Sequence, residues 1–278
     1  MLIKRLLTGL VAIPLVTLLV YWGSEQVFLL LIMLTAGLSL IEFYKMNFTG
    51  NSFITVILII MGLSCIVFIY SYRSAFSLKT HDLFNLYFTW ALLFITSSVI
   101  LSLLIQLIVF PRNVLCTSNL LIAFVGIIYV CLFLSYLVLL RCMMGGQNWV
   151  FFTLLSVWSG DIGAYAVGKT LGSHKLSPLI SPHKTIEGAL GSIGTVVLAA
   201  LSLNCLLLKE ISITHCILLA LGMAVISQVG DLCESAFKRM HNLKDSGNFL
   251  PGHGGMLDRI DSLLLAAPLV YYYKVLIL

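Results

Sequence analysis

The sequence predicts an all-α, polytopic integral membrane protein with about nine transmembrane helices. Three observations carry that expectation. Of 278 residues, 60% are hydrophobic and only 10% are charged, against about 25% charged in soluble domains. The apolar residues form continuous runs, without the alternation of a transmembrane barrel. Nine of those runs approach the ~20 residues that a helix needs to cross the hydrocarbon core. Such a chain cannot cover a globular surface with polar groups, which excludes a soluble domain, a disordered chain and a secreted disulfide scaffold.

In chain order the windows are 6–22, 27–44, 53–71, 86–110, 119–140, 149–167, 188–208, 213–232 and 260–278. Lys4 and Arg5 precede the first. No small-x-small cleavage site follows cleanly, so it reads as a retained span and not as a signal peptide. With the N-terminus in the cytoplasm, the inner connections hold 11 Lys and Arg residues and the outer ones 5. This is the bias of the positive-inside rule. The two longest polar connections, 168–187 and 233–259, then fall on the cytoplasmic side. Trp22, Trp90 and Trp149 lie near expected interfaces and read as belt anchors.

The two parts of the chain differ in character. Residues 1–146 read as a transmembrane scaffold of about five helices. Residues 147–278 read as a catalytic half of about four. Eight of the 11 acids lie between Asp161 and Asp261, Glu210 among them. A charge near the bilayer centre costs at least ~2.5–3.5 kcal/mol, so acids are expected only where they are used or solvated. The seven cysteines form no CxxC pair and read as small buried hydrophobes. Glu42, with Lys45 beyond it, reads as an interfacial ion pair or as the lining of a polar cavity. The net charge of +5 suits membrane topology and anionic lipid. No basic tract with interleaved aromatics points to nucleic acid.

Three stretches carry chemistry. In Gln228–Arg239, Asp231, Glu234, Ser235 and Lys238 are spaced i, i+3, i+4 and i+7 and share one helix face. That stripe is either a functional site or an ion pair closing the helix end. Between Lys244 and Asp261 there are four glycines in the nine residues from Gly247 to Gly255. Consecutive amides in such turns form concave anion sites. Asp258 and Asp261 stand at the start of the ninth span, where acids also favour a helix N-terminus. With Lys244, Asp245, His253 and Arg259 they suit a metal–phosphate site, because hard divalent ions take carboxylate and phosphate oxygens. The third stretch, Ser159–Gly188, places Asp161 and Tyr165 within the sixth span. A loop with Lys169, Lys175 and Lys184 follows, with Ser181-Pro182 expected as a turn. Thr185-Ile186-Glu187 opens the seventh span. A Walker loop and a GxSxG elbow are both missing.

Ser235-x-Phe237-Lys238-Arg239-x(4)-Lys244-Asp245-x-Gly247-x(2)-Leu250-Pro251-x-His253-Gly254-Gly255-Met256-x-Asp258-Arg259-Ile260-Asp261 resembles the signature of phosphatidate cytidylyltransferases, also called CDP-diacylglycerol synthases. Ile180–Gly188 and Asp161-x-x-Ala164-Tyr165-x-x-Gly168-Lys169 are similar to further stretches of that family. The resemblance covers roughly 155–265. It implies transfer of a cytidylyl group from CTP to phosphatidate, giving CDP-diacylglycerol and pyrophosphate in phospholipid biosynthesis. It implies a homodimer in the cell (inner) membrane, in contact with membrane lipids. It implies metal-binding carboxylates at Asp231 and Asp258 serving Mg²⁺, with a second cation such as K⁺ left open.

On that resemblance Asp261 and Glu234 support the metal ligands, and Lys238, Arg239, Lys244 and Arg259 contact phosphates. The turn Gly252-His253-Gly254-Gly255 wraps the triphosphate or orients Asp258. Asp245 is a further catalytic candidate and Ser235 a substrate contact. Lys169, Ser181, Lys184, Thr185 and Glu187 help to bind phosphatidate or CTP, and Asp161 supports the cavity. The rival readings are a CTP-dependent lipid kinase or a CDP-isoprenoid lipid synthase. A transporter using Asp161 and Asp231 would need the internal repeats that the sequence lacks. A non-catalytic scaffold would not need this density of polar residues.

Overall fold

The computed structural model describes residues 14–47, 52–76, 95–96, 119–209, 211–247, 249 and 254–278. A helical segment at 14–22 precedes α1 (Glu25–Asn47) and α2 (Ser52–Phe76). Next come α3 (Asn119–Gly126), a π-helical turn at Ile127–Leu132 and α4 (Phe133–Arg141). Then follow α5 (Gly146–Leu171), the strands β1 (Lys175–Ser177) and β2 (Ser181–Thr185), α6 (Ile186–Leu207), α7 (Ile213–Met240) and α8 (Leu257–Leu276).

The protein is an all-α polytopic membrane protein. Among the described residues, α1, Phe124–Arg141, α5, α6 and α7 are long and apolar enough to cross a membrane. Of the expected window 6–22, residues 14–22 are described and helical, and the window 86–110 lies outside the described residues except for helical 95–96.

The helix ends follow local chemistry. Ser24, Thr185 and Ser212 each accept a backbone N–H three residues on, the ordinary N-cap bond. At the other end of α7, Asn242 adopts φ 56°. Leu243 N–H donates to Lys238 O at 2.9 Å and Asn242 N–H to Arg239 O at 3.1 Å. This is a Schellman closure with Asn in place of the usual Gly. It ends the helix just after Lys238 and Arg239, whose charges suit a helix C-terminus.

The residues form two compact units, 1–144 with 245–257, and 145–244 with 258–278. In the first, Phe43, Tyr44, Tyr129 and Phe133 are fully buried and pack edge to face. Gly126 closes on the Tyr44 ring and Gly62 on Leu40 and Cys131. In the second, α5 and α6 approach closely. A Cβ on Gly188 would lie 2.8 Å from the Ala164 carbonyl oxygen and 3.2 Å from the Gly168 Cα. Thr195 on α6 donates to the Ser159 carbonyl at 2.9 Å. On α7, Gly230 lets the backbone of α8 at Asp261 come within 2.5 Å of where a Cβ would stand.

Three expectations are corrected here. Ser181-Pro182 is not a turn. Pro178, Leu179 and Ile180 make the turn, and Ser181 and Pro182 begin β2, antiparallel to β1. Pro is tolerated there because a two-stranded ribbon is all edge. Trp149 is buried, 6% exposed, with the Lys274 ammonium 4.9 Å above its ring, so it is not a lipid-facing anchor. Of the cysteines, Cys131, Cys216 and Cys233 are buried, Cys65 and Cys142 are partly exposed, and Cys205 is exposed, beside the exposed Leu206. Cys116 and Trp90 lie outside the described residues.

Candidate active site

The polar stripe expected on α7 forms as read. Ser235 Oγ donates to Asp231 Oδ1 at 3.4 Å, and Lys238 pairs with Glu234 one turn back. Glu234 is fully buried, and among the described residues its carboxylate makes no hydrogen bond beyond that ion pair. A buried carboxylate is tolerated only with a cation beside it, and Lys238 is that cation.

Lys238 also reaches α8. Its ammonium donates to Asp258 Oδ1 at 2.6 Å, so one lysine bridges an acid on each helix. From the hairpin, Lys184 pairs with Asp231 Oδ2 at 2.6 Å. Asp261, one turn beyond Asp258, is 8% exposed and accepts the Ser262 N–H at 2.7 Å. It lies within electrostatic reach of Asp231 and Asp161. Ser262 Oγ donates to Asp161 Oδ1 at 3.5 Å. Hence α5, β2, α7 and α8 bring Asp161, Lys184, Asp231, Glu234, Lys238, Asp258 and Asp261 into one acid-rich cluster with two lysines.

The hairpin that carries Lys184 is held at three points. Thr185 Oγ1 caps α6 at Gly188 N–H, 3.1 Å away. Glu187 accepts the backbone N–H groups of Ser173 at 3.1 Å and His174 at 3.2 Å, and pairs with the His174 ring at 2.6 Å. Arg239 donates Nε to Ile180 O at 3.2 Å and Nη1 to Leu243 O at 2.8 Å. Thr185, Glu187 and Arg239, read from sequence as substrate contacts, therefore have structural partners. Ser181 stands opposite Ser177 in the ladder.

Lys169 donates to Tyr165 OH at 3.5 Å on the exposed side of α5. Lys244, Asp245 and Arg259 are exposed. Gly254 has φ 82°, a conformation that favours glycine. His253 lies outside the described residues.

Glu42, read from sequence as an interfacial ion pair or the lining of a polar cavity, is 7% exposed, with its carboxylate accepting from Ser246, Met256 and Leu257. Its sequence signal is an acid within an apolar span; the partners are not visible there.

Among the described residues there is no group of three or more His, Cys, Asp or Glu side chains arranged to hold a metal. Mg²⁺, however, is commonly held by one or two carboxylates plus substrate phosphates. Asp231 and Asp258 fit that pattern, and each already accepts a cation, the ammonium of Lys184 or Lys238.

Fold and site thus define a helical membrane protein with a carboxylate–lysine cluster on its second unit. The chain belongs to the cytidylyltransferase family, whose model matches residues 3–277. It is 46% identical over 127 residues to the phosphatidate cytidylyltransferase of Bacillus subtilis (strain 168), a stretch covering 46% of this chain and 47% of that relative. It is 38% identical over 149 residues to the protein of the same name from Staphylococcus saprophyticus, covering 54% and 55%. The chain spans about half the length of the curated relatives it matches.

Proposed function

We propose that the chain transfers a cytidylyl group from CTP to phosphatidate, giving CDP-diacylglycerol and pyrophosphate. The observation that carries this reading is the pairing of Lys184 with Asp231 and Lys238 with Asp258 in a chain of this family. Two anionic substrates must meet, and only cations close to both can lower their repulsion.

In this reaction an oxygen of the phosphatidate phosphate attacks the α-phosphorus of CTP. The bond between the α-phosphorus and its bridging oxygen breaks, and pyrophosphate leaves with that electron pair. No covalent enzyme intermediate is required. Asp231 and Asp258 would hold Mg²⁺. The chemistry supplied by bound Mg²⁺ is neutralisation of charge on the phosphoryl oxygens and on the leaving pyrophosphate. A second cation such as K⁺ belongs to the same proposal. Lys184 and Lys238, released from their carboxylates, neutralise phosphate oxygens, and Arg259, Lys244 and Lys169 extend the positive lining. Glu234 and Asp261 keep the lysines and the metal ligands in place. The protein's share of catalysis is positioning and preorganised charge.

The lysine and arginine bias of the sequence supports a cytoplasmic N-terminus and active-site loops facing the cytosol, in the cell membrane. A homodimer completes the proposal. The test is purified protein in detergent with CTP, phosphatidate and Mg²⁺. The expected result is CDP-diacylglycerol and pyrophosphate in equal amounts. Phosphatidate recovered unchanged, with CTP-independent ion flux in liposomes, would overturn the proposal in favour of a transporter.

A further inference from the structure

Glu42 has no part in the chemistry above, yet it is among the most completely engaged acids in the structure. It stands on α1 at 7% exposure. Oε1 accepts the Met256 N–H at 2.9 Å, and Oε2 accepts the Leu257 N–H at 2.9 Å and the Ser246 hydroxyl at 3.0 Å. The glycines beside it are close-approach positions. A Cβ on Gly247 would lie 2.8 Å from the Glu42 carboxyl carbon, and one on Gly255 would lie 2.7 Å from the same atom.

The glycine-rich stretch reads from sequence as a nest for an anion. The anion found there is a side chain of the protein itself. A carboxylate buried without donors is strongly disfavoured, and three donors remove that penalty. Leu257 is the first residue of α8, so Glu42 also stands at a helix N-terminus, where a negative charge is favourable. Asp258 and Arg259 follow Leu257 directly in the chain.

We infer that Glu42 is a positioning residue for the reaction, holding Ser246, Met256 and the first amide of α8 at Leu257, the residue that directly precedes Asp258 and Arg259 in the chain. This inference rests on the proposed cytidylyl transfer.

The test is hydrogen exchange on the full-length protein in detergent, wild type against Glu42→Gln, with steady-state kinetics on the same samples. The amide of Gln cannot accept where the second carboxylate oxygen did. Exchange at Met256 and Leu257 is expected to rise at least about tenfold, the order of one hydrogen bond to a charged group. Turnover is expected to fall by about tenfold or more with KM for CTP nearly unchanged, the signature of a lost transition-state arrangement. Unchanged protection overturns the anchor, and lost protection with full turnover overturns its role in positioning. Should Glu42→Gln fail to fold, Ser246→Ala, which removes one donor of the three, is read by the same two criteria with smaller factors. A wild-type protein without cytidylyl transfer defeats the proposed function. The exchange comparison, which needs no substrate, still reads the anchor.

Discussion

Lys184 and Asp231, distant in the sequence, meet as an ion pair at 2.6 Å. The hairpin β1–β2 therefore delivers a cation to the acidic stripe of α7. Replacing Lys184 by Met removes that cation with little loss of side-chain bulk. We expect kcat/KM to fall about 10–100-fold, the range for a hydrogen bond to a charged group. Steady-state assays with varied CTP check this, and an unchanged kcat/KM would separate Lys184 from the site.

Lys238 serves the buried Glu234 and Asp258 together. Lys238→Met takes the paired cation from the buried Glu234, and breaking a buried pair from one side costs about 3–5 kcal/mol. The variant is expected to unfold at markedly lower temperature. Adding Glu234→Gln should return much of the loss, because the uncompensated buried charge disappears. Additive losses in that double-mutant cycle would show that Glu234 and Lys238 are not coupled.

Arg239 uses two nitrogens of its planar fork on two backbone carbonyls, Ile180 O and Leu243 O. A lysine has one donor group and cannot bridge both. Arg239→Lys is therefore expected to behave like Arg239→Ala. Both should speed amide exchange in 175–185 and lower kcat/KM. Wild-type protection of the hairpin in Arg239→Lys would contradict the bridging role.

Thr185 caps α6 through Gly188 N–H. Thr185→Ala should cost about 1 kcal/mol of stability, while Thr185→Ser should cost little. Thermal unfolding in detergent measures both. Equal melting of the Ala and Ser variants would remove the cap from the account.

The site was legible in sequence where its partners lie on one helix. Asp231 with Ser235 and Glu234 with Lys238 follow from helical spacing alone, and both contacts form. The contacts of Lys184 with Asp231 and of Lys238 with Asp258 join separate elements, and no local periodicity encodes them. The hairpin escaped notice because its strands have three and five residues, too few for a period of two to register, and Pro182 disguised the second. Arg239 and Glu187 were read as substrate contacts because their charge is visible in sequence, whereas the carbonyls and amides that engage them are not. Glu42 shows the same limit: an isolated acid can be noticed, but its donors come from residues more than 200 positions away. The apolar spans were the most legible feature, since composition and run length alone identify them. The start of α7 at Ile213 is as expected, α6 begins two residues before the expected 188 at the Thr185 cap, and α7 runs eight residues past 232 before the Asn242 closure.

The central claim is cytidylyl transfer, and the fate of the CTP phosphates tests it most directly. Purified protein is given phosphatidate and Mg²⁺ with CTP labelled at either the α- or the γ-phosphate. The account predicts that the α-label enters the lipid fraction and the γ-label leaves as pyrophosphate. γ-Label in the lipid, with CDP as the other product, would identify a lipid kinase and contradict the account.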